Sequence, residues 1–580
     1  MRRTAAALLG AALLALAAGC VSLPESGPVV EADGGRGASE ATGVTYDPLP
    51  PLPEASRSEI VKGFLDAMTA VPIQTNSAKE FLTEEARSSW RPEQETITYG
   101  DRSPAVDTGS AVTVRMFDGA NRFDARGSWR GSLSGSQLDL RFGLAMEQGE
   151  WRISDVPDAL VVPEAWFETR FRQLTLSFFD ASERILVPEP VFVANDDALA
   201  TRLVEGLLDG PGAQLGRSAR SFLPPGTTLD LSVPVSPDGV ADVSLSAVGR
   251  QSPDDQRLMV IQLAATLRQV VGITALRVTV DDEPLRLRGG DGRFGIDMGA
   301  DLDPAVPGAS AILFGVRDQR LVTGIPEALD PVQGPFGTGE VALRSAAVSL
   351  DGGTAAAVTA DGGSLVLAPV NGGDGSTRSI LDRGTDLLEP SWDFADRVWV
   401  VDRRAAGARV RFLEDDRLRT LDVPGVSGED VTSFLVSRDG SRLVAVVSDG
   451  ELDELVVSRI LHRAGGEVRA ATPVRLILGG PSEPEVIKDL AWQSPTSVAV
   501  LTSVDGEVWE VRSVSVDGAP TSVETIANLS GPVRSLAGSP VEGEGLLVLA
   551  PDEVLDVSGS VPRRTRFVEG QQPRSLGYVG

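Results

Sequence analysis

The sequence predicts a multidomain protein, with two small α+β domains followed by an all-β propeller of about six blades. Three observations carry this expectation. The chain has 580 residues with 42% hydrophobic content, enough for several packed cores at roughly 100–200 residues per domain. Hydrophobic periodicity passes from helical spacing to alternation within residues 56–165, and helices and strands recur within 174–288. From about residue 300 onward, short Val/Leu runs alternate with Asp-Gly and Gly-Gly turns and no helix interrupts them.

Residues 1–19 open with Arg2 and Arg3, continue through the apolar stretch TAAALLGAALLALAA and end at Gly19. The stretch is shorter than the ~20 residues a membrane span needs, and it has the layout of a secretory signal. The sole cysteine, Cys20, follows at once. The run Leu16-Ala17-Ala18-Gly19-Cys20 resembles a bacterial lipoprotein signal, with Ala17 where such signals most often carry Leu. That resemblance implies cleavage between Gly19 and Cys20, with Cys20 becoming an N-palmitoyl, S-diacylglycerol cysteine at the mature N-terminus. Residues 20–55 are rich in Pro, Gly, Ser and Glu and show no period, which predicts a flexible tether of about 30 Å.

Ser56 and Glu59 have capping-box spacing, and Ile60, Val61, Phe64, Leu65 and Met68 follow at helical intervals. Ser77 and Glu80 are expected to repeat the device. Val112, Val114 and Met116, then Leu138, Leu140, Phe142 and Leu144, alternate as strands. In the second domain, LTLSFFDASERILVPEPVFV predicts two strands around a turn at Asp180-Ala181-Ser182. One helix runs from Ala198 to Gly210-Pro211. Another opens at Ser252-Pro253-Asp254-Asp255, presents Val260, Leu263, Ala264, Leu267, Val270 and Val271 on one face, and ends at Gly272. Gly289-Gly290-Asp291-Gly292 reads as a linker.

In residues 300–580, Asp351-Gly352 and Asp439-Gly440 mark hairpin turns, and PSWDFADRVWVVD and DLAWQSPTSVAVLTS repeat a tryptophan–turn–strand theme. At 40–50 residues per blade this predicts about six blades, with a strand near Val568 closing the ring on the first blade. A pair of β-sandwiches is the alternative architecture.

The residues exclude large classes of function. A balance of 53 Lys+Arg against 82 Asp+Glu, net −29, argues against nucleic acid and against electrostatic adhesion to anionic lipid. One cysteine and one histidine, His462, cannot build the usual zinc sites, and a catalytic triad has only His462 to draw on. Lys62, Lys79 and Lys488 are the only lysines and none follows a glycine, so there is no P-loop lysine. No catalytic residue, cofactor or metal site is predicted, and the protein is not expected to be an enzyme. His462 reads as an ordinary turn-edge residue. The acidic pairs Asp254-Asp255, Asp281-Asp282 and Asp415-Asp416 read as helix starts and solvated turns. Trp90, Trp129, Trp392, Trp399, Trp492 and Trp509 read as core.

SEIVKGFLDAM, AKEFLTEEARSSWRP and GEWRISDVPDAL resemble the NTF2-like N-terminal domain of the actinobacterial LpqB lipoproteins. FFDASERILVPE, ATRLVEGLLDGP and FLPPGTTLDLSV resemble the GerMN sporulation and germination module. Signal, two modules and propeller stand in the order of the LpqB family. The resemblance implies a protein on the extracytoplasmic face of the cell membrane, held by its lipid. It further implies binding to the extracellular domain of the sensor kinase MtrB and modulation of MtrA–MtrB signalling, with effects on cell-wall homeostasis and division. Two alternatives stay open: an envelope glycan binder or hydrolase, and an envelope-assembly scaffold without a signalling role.

Overall fold

The computed structural model describes residues 46–580, apart from positions 213–214, 247–248, 250, 288–289, 306–311, 373–375, 451, 464–466, 470–472, 477–485, 506–507, 521–523 and 542. Gly19, Cys20, the tether up to residue 45 and Gly289 lie outside the described residues. Residues 47–580 form one compact unit.

Helix α1 (Arg57–Ala67) begins with the expected capping box: Ser56 Oγ accepts from the Glu59 N–H and the Glu59 carboxylate accepts from the Ser56 N–H. Its buried face, Ile60, Val61, Phe64 and Leu65, lies on the sheet of the first domain. There Phe64 meets Trp90 at 5.3 Å and Phe142 at 6.1 Å. Ser77 does not cap a helix. The short helix Asn76–Lys79 starts after Thr75, and Ser77, one residue inside it, donates to Asp47 instead. Strand β1 (Glu95–Tyr99) belongs to one sheet, β2 (Val112–Phe117) and β3 (Asp139–Glu147) pair antiparallel in a second, and β4 (Leu160–Pro163) returns to run parallel to β1. Helix α2 (Glu164–Arg170) then leads directly into the second domain.

There, β5 (Phe171–Asp180) and β6 (Leu186–Ala194) form the expected hairpin, in register from Phe171↔Ala194 to Phe179↔Leu186. Helix α3 (Leu199–Leu208) packs beside it. Strand β7 (Val240–Ser246), helix α4 (Pro253–Leu267) and strand β8 (Ala275–Val280) make a parallel β-α-β unit. Ser252 caps α4 by accepting from the Asp255 N–H, as expected. The apolar face differs from the expectation. Every residue from Leu258 to Leu267 is buried, because α4 shares one core with both sheets of the domain. The helix stops at Leu267, and Val271 is 92% exposed.

Residues 313–577 form six four-stranded antiparallel sheets among the described residues, the blades of a propeller. Strand β9 (Leu313–Arg317) pairs with β10 (Ser575–Gly577), so the last strand of the ring sits in the first blade. Closure comes seven residues later than the sequence suggested, and Val568 is exposed. Apart from isolated 3-10 turns, the region's only described helix is the single turn Pro335–Thr338. Gly352 and Gly440 sit at φ +73° and +65° in their hairpin turns, the left-handed region that such turns require.

Candidate functional site

The segment Val187-Pro188-Glu189-Pro190-Val191 in β6 places one carboxylate between two prolines in a strand that is otherwise buried. The register explains the prolines. Pro188 and Pro190 lie opposite Ser177 and Thr175 at positions whose backbone groups point away from β5, toward the neighbouring modules. Proline has no N–H to strand there. At the next such position the Phe192 N–H donates to Gly127 O of the first domain at 2.8 Å. Gly127 has φ +81°, and a Cβ on it would collide with the Phe192 carbonyl oxygen.

Glu189 meets the propeller. Arg459 grips its carboxylate as a fork, Nη2 to Oε1 at 2.6 Å and Nη1 to Oε2 at 2.9 Å. Arg442, its side chain 1% exposed, donates to Oε2 at 3.1 Å and to the Pro188 carbonyl at 2.7 Å. Burial opposes ionisation of Glu189, but Arg459, Arg442 and Arg126 outweigh it and hold the carboxyl below its usual range. Arg126, Trp129 and Arg130 of the first domain, Glu189 and Gly212 of the second, and Arg459 and Asp517 of the fourth and fifth blades line one cavity of about 260 Å3. All three modules therefore meet around a buried charge cluster.

His462 belongs to the short hairpin Leu461–His462 with Val468–Arg469, in the same blade as Arg459. It stands at the edge of that hairpin's turn, as read, but it is buried: it is 5% exposed and its Nε2 has no hydrogen-bond partner among the described residues. Burial lowers its pKa, and the Arg397 charge adds to that against the pull of Asp393, Asp180 and Asp439.

The propeller's central channel is lined by Glu389, Asp489, Arg438 and residues 575–580 among others. Burial and the charge of Asp489 push the Glu389 carboxyl up to about 8, and burial pushes Asp489 up to about 6. The two resist simultaneous ionisation, the electrostatic relation that acid–base pairs use. The channel encloses about 150 Å3, however, well below the roughly 300–1,000 Å3 of ligand sites.

The residues singled out in the sequence are not brought together. Asp254-Asp255 lies in the first turn of α4, and Asp281, Asp282, Asp415 and Asp416 occupy left-handed turn positions. Trp90, Trp392, Trp399 and Trp492 are buried, and Trp129 and Trp509 are half-buried against core residues. No group of three or more metal-ligating side chains occurs among the described residues, and no described helix is long and apolar enough to cross a membrane. Sequence reasoning missed Glu189, Arg442 and Arg459. The signal available was the charge between two prolines in an apolar strand.

Comparison with known proteins follows the same three modules. The lipoprotein LpqB N-terminal domain matches residues 50–168, and the sporulation and spore germination domain matches 175–286. The lipoprotein LpqB beta-propeller domain matches 319–567. The chain belongs to the LpqB lipoprotein family. Lipoprotein LpqB of Thermobifida fusca is 27% identical over 98% of both chains. LpqB of Mycolicibacterium smegmatis is 28% identical over 97% of both. Among solved structures, the first GerMN domain of the Bacillus subtilis sporulation protein GerM is 20% identical. That match covers 21% of this chain and 97% of the GerM domain, with a TM-score of 0.19. In this LpqB-family chain, Glu189 of the germination module is one of the residues bonded to the propeller, and Gly127 is one point at which the N-terminal domain joins that module.

Proposed function

We propose that this chain is a lipid-anchored accessory protein on the extracytoplasmic face of the membrane. It binds the extracellular domain of an MtrB-type sensor kinase and modulates MtrA–MtrB signalling, and through it cell-wall homeostasis and division. Membership of the LpqB family supports the partner, and the Gly19-Cys20 junction supports the anchor. The observation that carries the reading is that the three modules form one compact unit, with Glu189 of the second bonded to Arg459 of the propeller in a cavity that Arg126 of the first also lines. A rigid body of this kind can favour one conformation of a partner. Modulation requires unequal affinity for the kinase's signalling states, since equal affinity shifts nothing. Sharing a membrane face raises effective concentration, so a weak interface suffices. The glycan-binding alternative loses much of its motive, because Trp392, Trp399 and Trp492 of the propeller are buried and Trp509 is half-buried.

The test is calorimetry of the soluble mature chain, residues 21–580, against the purified kinase ectodomain. Saturable binding at micromolar affinity or better is expected. No binding, even with both proteins tethered to one supported bilayer, overturns the reading.

A further inference from the structure

A cleft of about 1000 Å3 opens where β5 and α4 face the fifth blade, with α2 at its end. We propose that it binds an extended, uncharged peptide segment, which adds to the free edge of β5 at Gln173.

The edge is defined by register. Phe171, Gln173, Thr175 and Ser177 direct their backbone groups away from β6, since their opposite positions include Pro190 and Pro188, which have no N–H to offer. Along this edge, side chains of α4 and the residues just after it replace a neighbouring strand. Ser177 N–H donates to Thr266 Oγ1 at 3.1 Å. Thr175 N–H donates to Gln269 Oε1, and Gln269 Nε2 returns a bond to Thr175 O, both at 2.8 Å. One primary amide thus reproduces the donor–acceptor pair of a strand peptide group. Phe171 N–H closes α2 on Phe167 O. The N–H and C=O of Gln173 remain without a protein partner among the described residues, and Gln173 stands on the cleft wall. An arriving strand finds there the pair of main-chain bonds that strand addition uses.

The far wall suits the other side of a peptide. Gln493, Ser494, Ser497, Ser513 and Ser515 of the fifth blade offer amide and hydroxyl groups, and Gln173 Nε2 already donates to Ser515 Oγ at 2.7 Å. Charge selects further. In a chain of net −29, Arg268 in the cleft is neutralised by Asp303, which leaves Glu168 as the one unpaired charge among the described residues of the lining. A glycan fits less well, because the ring faces that would stack on sugars are used internally. Phe171 stacks on Phe167 at 4.4 Å, and Phe167 packs on Phe192 at 5.7 Å.

This site goes beyond the kinase reading, and its test contains no kinase. A positional-scanning library of fluorescein-labelled octapeptides is titrated into the mature chain and read by fluorescence polarisation. The expected result is saturable micromolar binding by pools that lack charged residues, with slowed exchange of the Gln173 amide. Gln173→Pro removes the donor at an edge position and should weaken binding at least tenfold. Ser494→Trp, which fills the cleft from the opposite wall, should do the same without touching β5. Ser494→Trp decides the matter if Gln173→Pro does not fold. Absence of binding by every pool, or binding unchanged in a folded Ser494→Trp protein, overturns the proposal. Binding of an N-acetylglucosamine tetramer that is lost in Ser494→Trp, with no peptide bound, overturns it in favour of a glycan.

Discussion

Arg459 in the fourth blade holds Glu189 in the germination module through two hydrogen bonds of 2.6 and 2.9 Å, across 270 residues of sequence. Arg442 completes the pair from the same blade, and neither guanidinium has much water around it. The propeller and the second module are therefore joined by a buried charge cluster, in which Asp439 of the same blade also faces Arg442 at 3.6 Å.

Glu189→Gln removes the carboxylate that both buried guanidinium groups share, leaving Arg442 with Asp439 at 3.6 Å and Arg459 without its bidentate partner. Breaking one partner of a buried pair typically costs about 3–5 kcal/mol. Denaturant unfolding of this variant should lose stability on that scale and separate into more than one transition, as modules that melted together come apart. A single transition at the wild-type midpoint would show that the cluster does not couple them.

Gly127→Ala places a Cβ against the Phe192 carbonyl at a backbone conformation that L-residues disfavour. Strain of this kind costs on the order of 1–3 kcal/mol. The expected outcome is a lower Tm together with faster amide exchange at Phe192, whose N–H bonds to Gly127 O.

His462 is buried with its pKa lowered from 6.5. A histidine kept neutral in the folded state contributes stability that is present above pH 6.5 and is lost as pH falls through the lowered folded value. Every tenfold weakening of proton binding on folding corresponds to about 1.4 kcal/mol. Wild type should therefore lose stability between pH 7 and 5, and His462→Gln should lose less over that interval. Equal losses would remove His462 as the source.

Glu389 has the opposite sign. Its folded pKa is raised from 4.5 to about 8, so its contribution is full below pH 4.5 and is lost as pH rises toward 8. Protein atoms of the channel wall surround Glu389, which raises its pKa, but its side chain still reaches the channel's water, and that solvent screens the charge and reduces the effect to the order of 1 kcal/mol. Glu389→Gln should raise Tm at pH 9 and leave it nearly unchanged at pH 4.5, a comparison that scanning calorimetry makes directly.

Cys20→Ser removes the thiol to which the proposed lipid would attach. The protein should appear in the soluble fraction or accumulate as unprocessed precursor. Mass spectrometry that found the variant processed, acylated and membrane-bound would remove Cys20 as the anchor.

Local signals made much of the architecture legible. The Ser56–Glu59 box, the Ser252 cap, the hairpin around Asp180 and the Asp-Gly turns each depend on residues within a few positions of one another, and the structure places them as read. Ser77 misled because capping spacing recurs inside a four-residue helix that starts earlier than its pattern suggested. Val271 misled because a helix buried on all sides has no single apolar face to reveal where it stops. The strand that closes the ring carries too little pattern in three residues to be separated from Val568 and its neighbours.

The amino-acid sequence alone determined the family, the order of the modules, the propeller and the core positions of Trp392, Trp399 and Trp492, because these follow from periodicity, turn chemistry and short motifs. Only the tertiary structure decided that Glu189 lies under Arg442 and Arg459, that Gly127 meets Phe192, that His462 is buried, and that β5 keeps a free edge at Gln173. Each of these depends on contacts between residues far apart in the chain, and a charge or a glycine in a strand looks the same in sequence whether it faces water or another module.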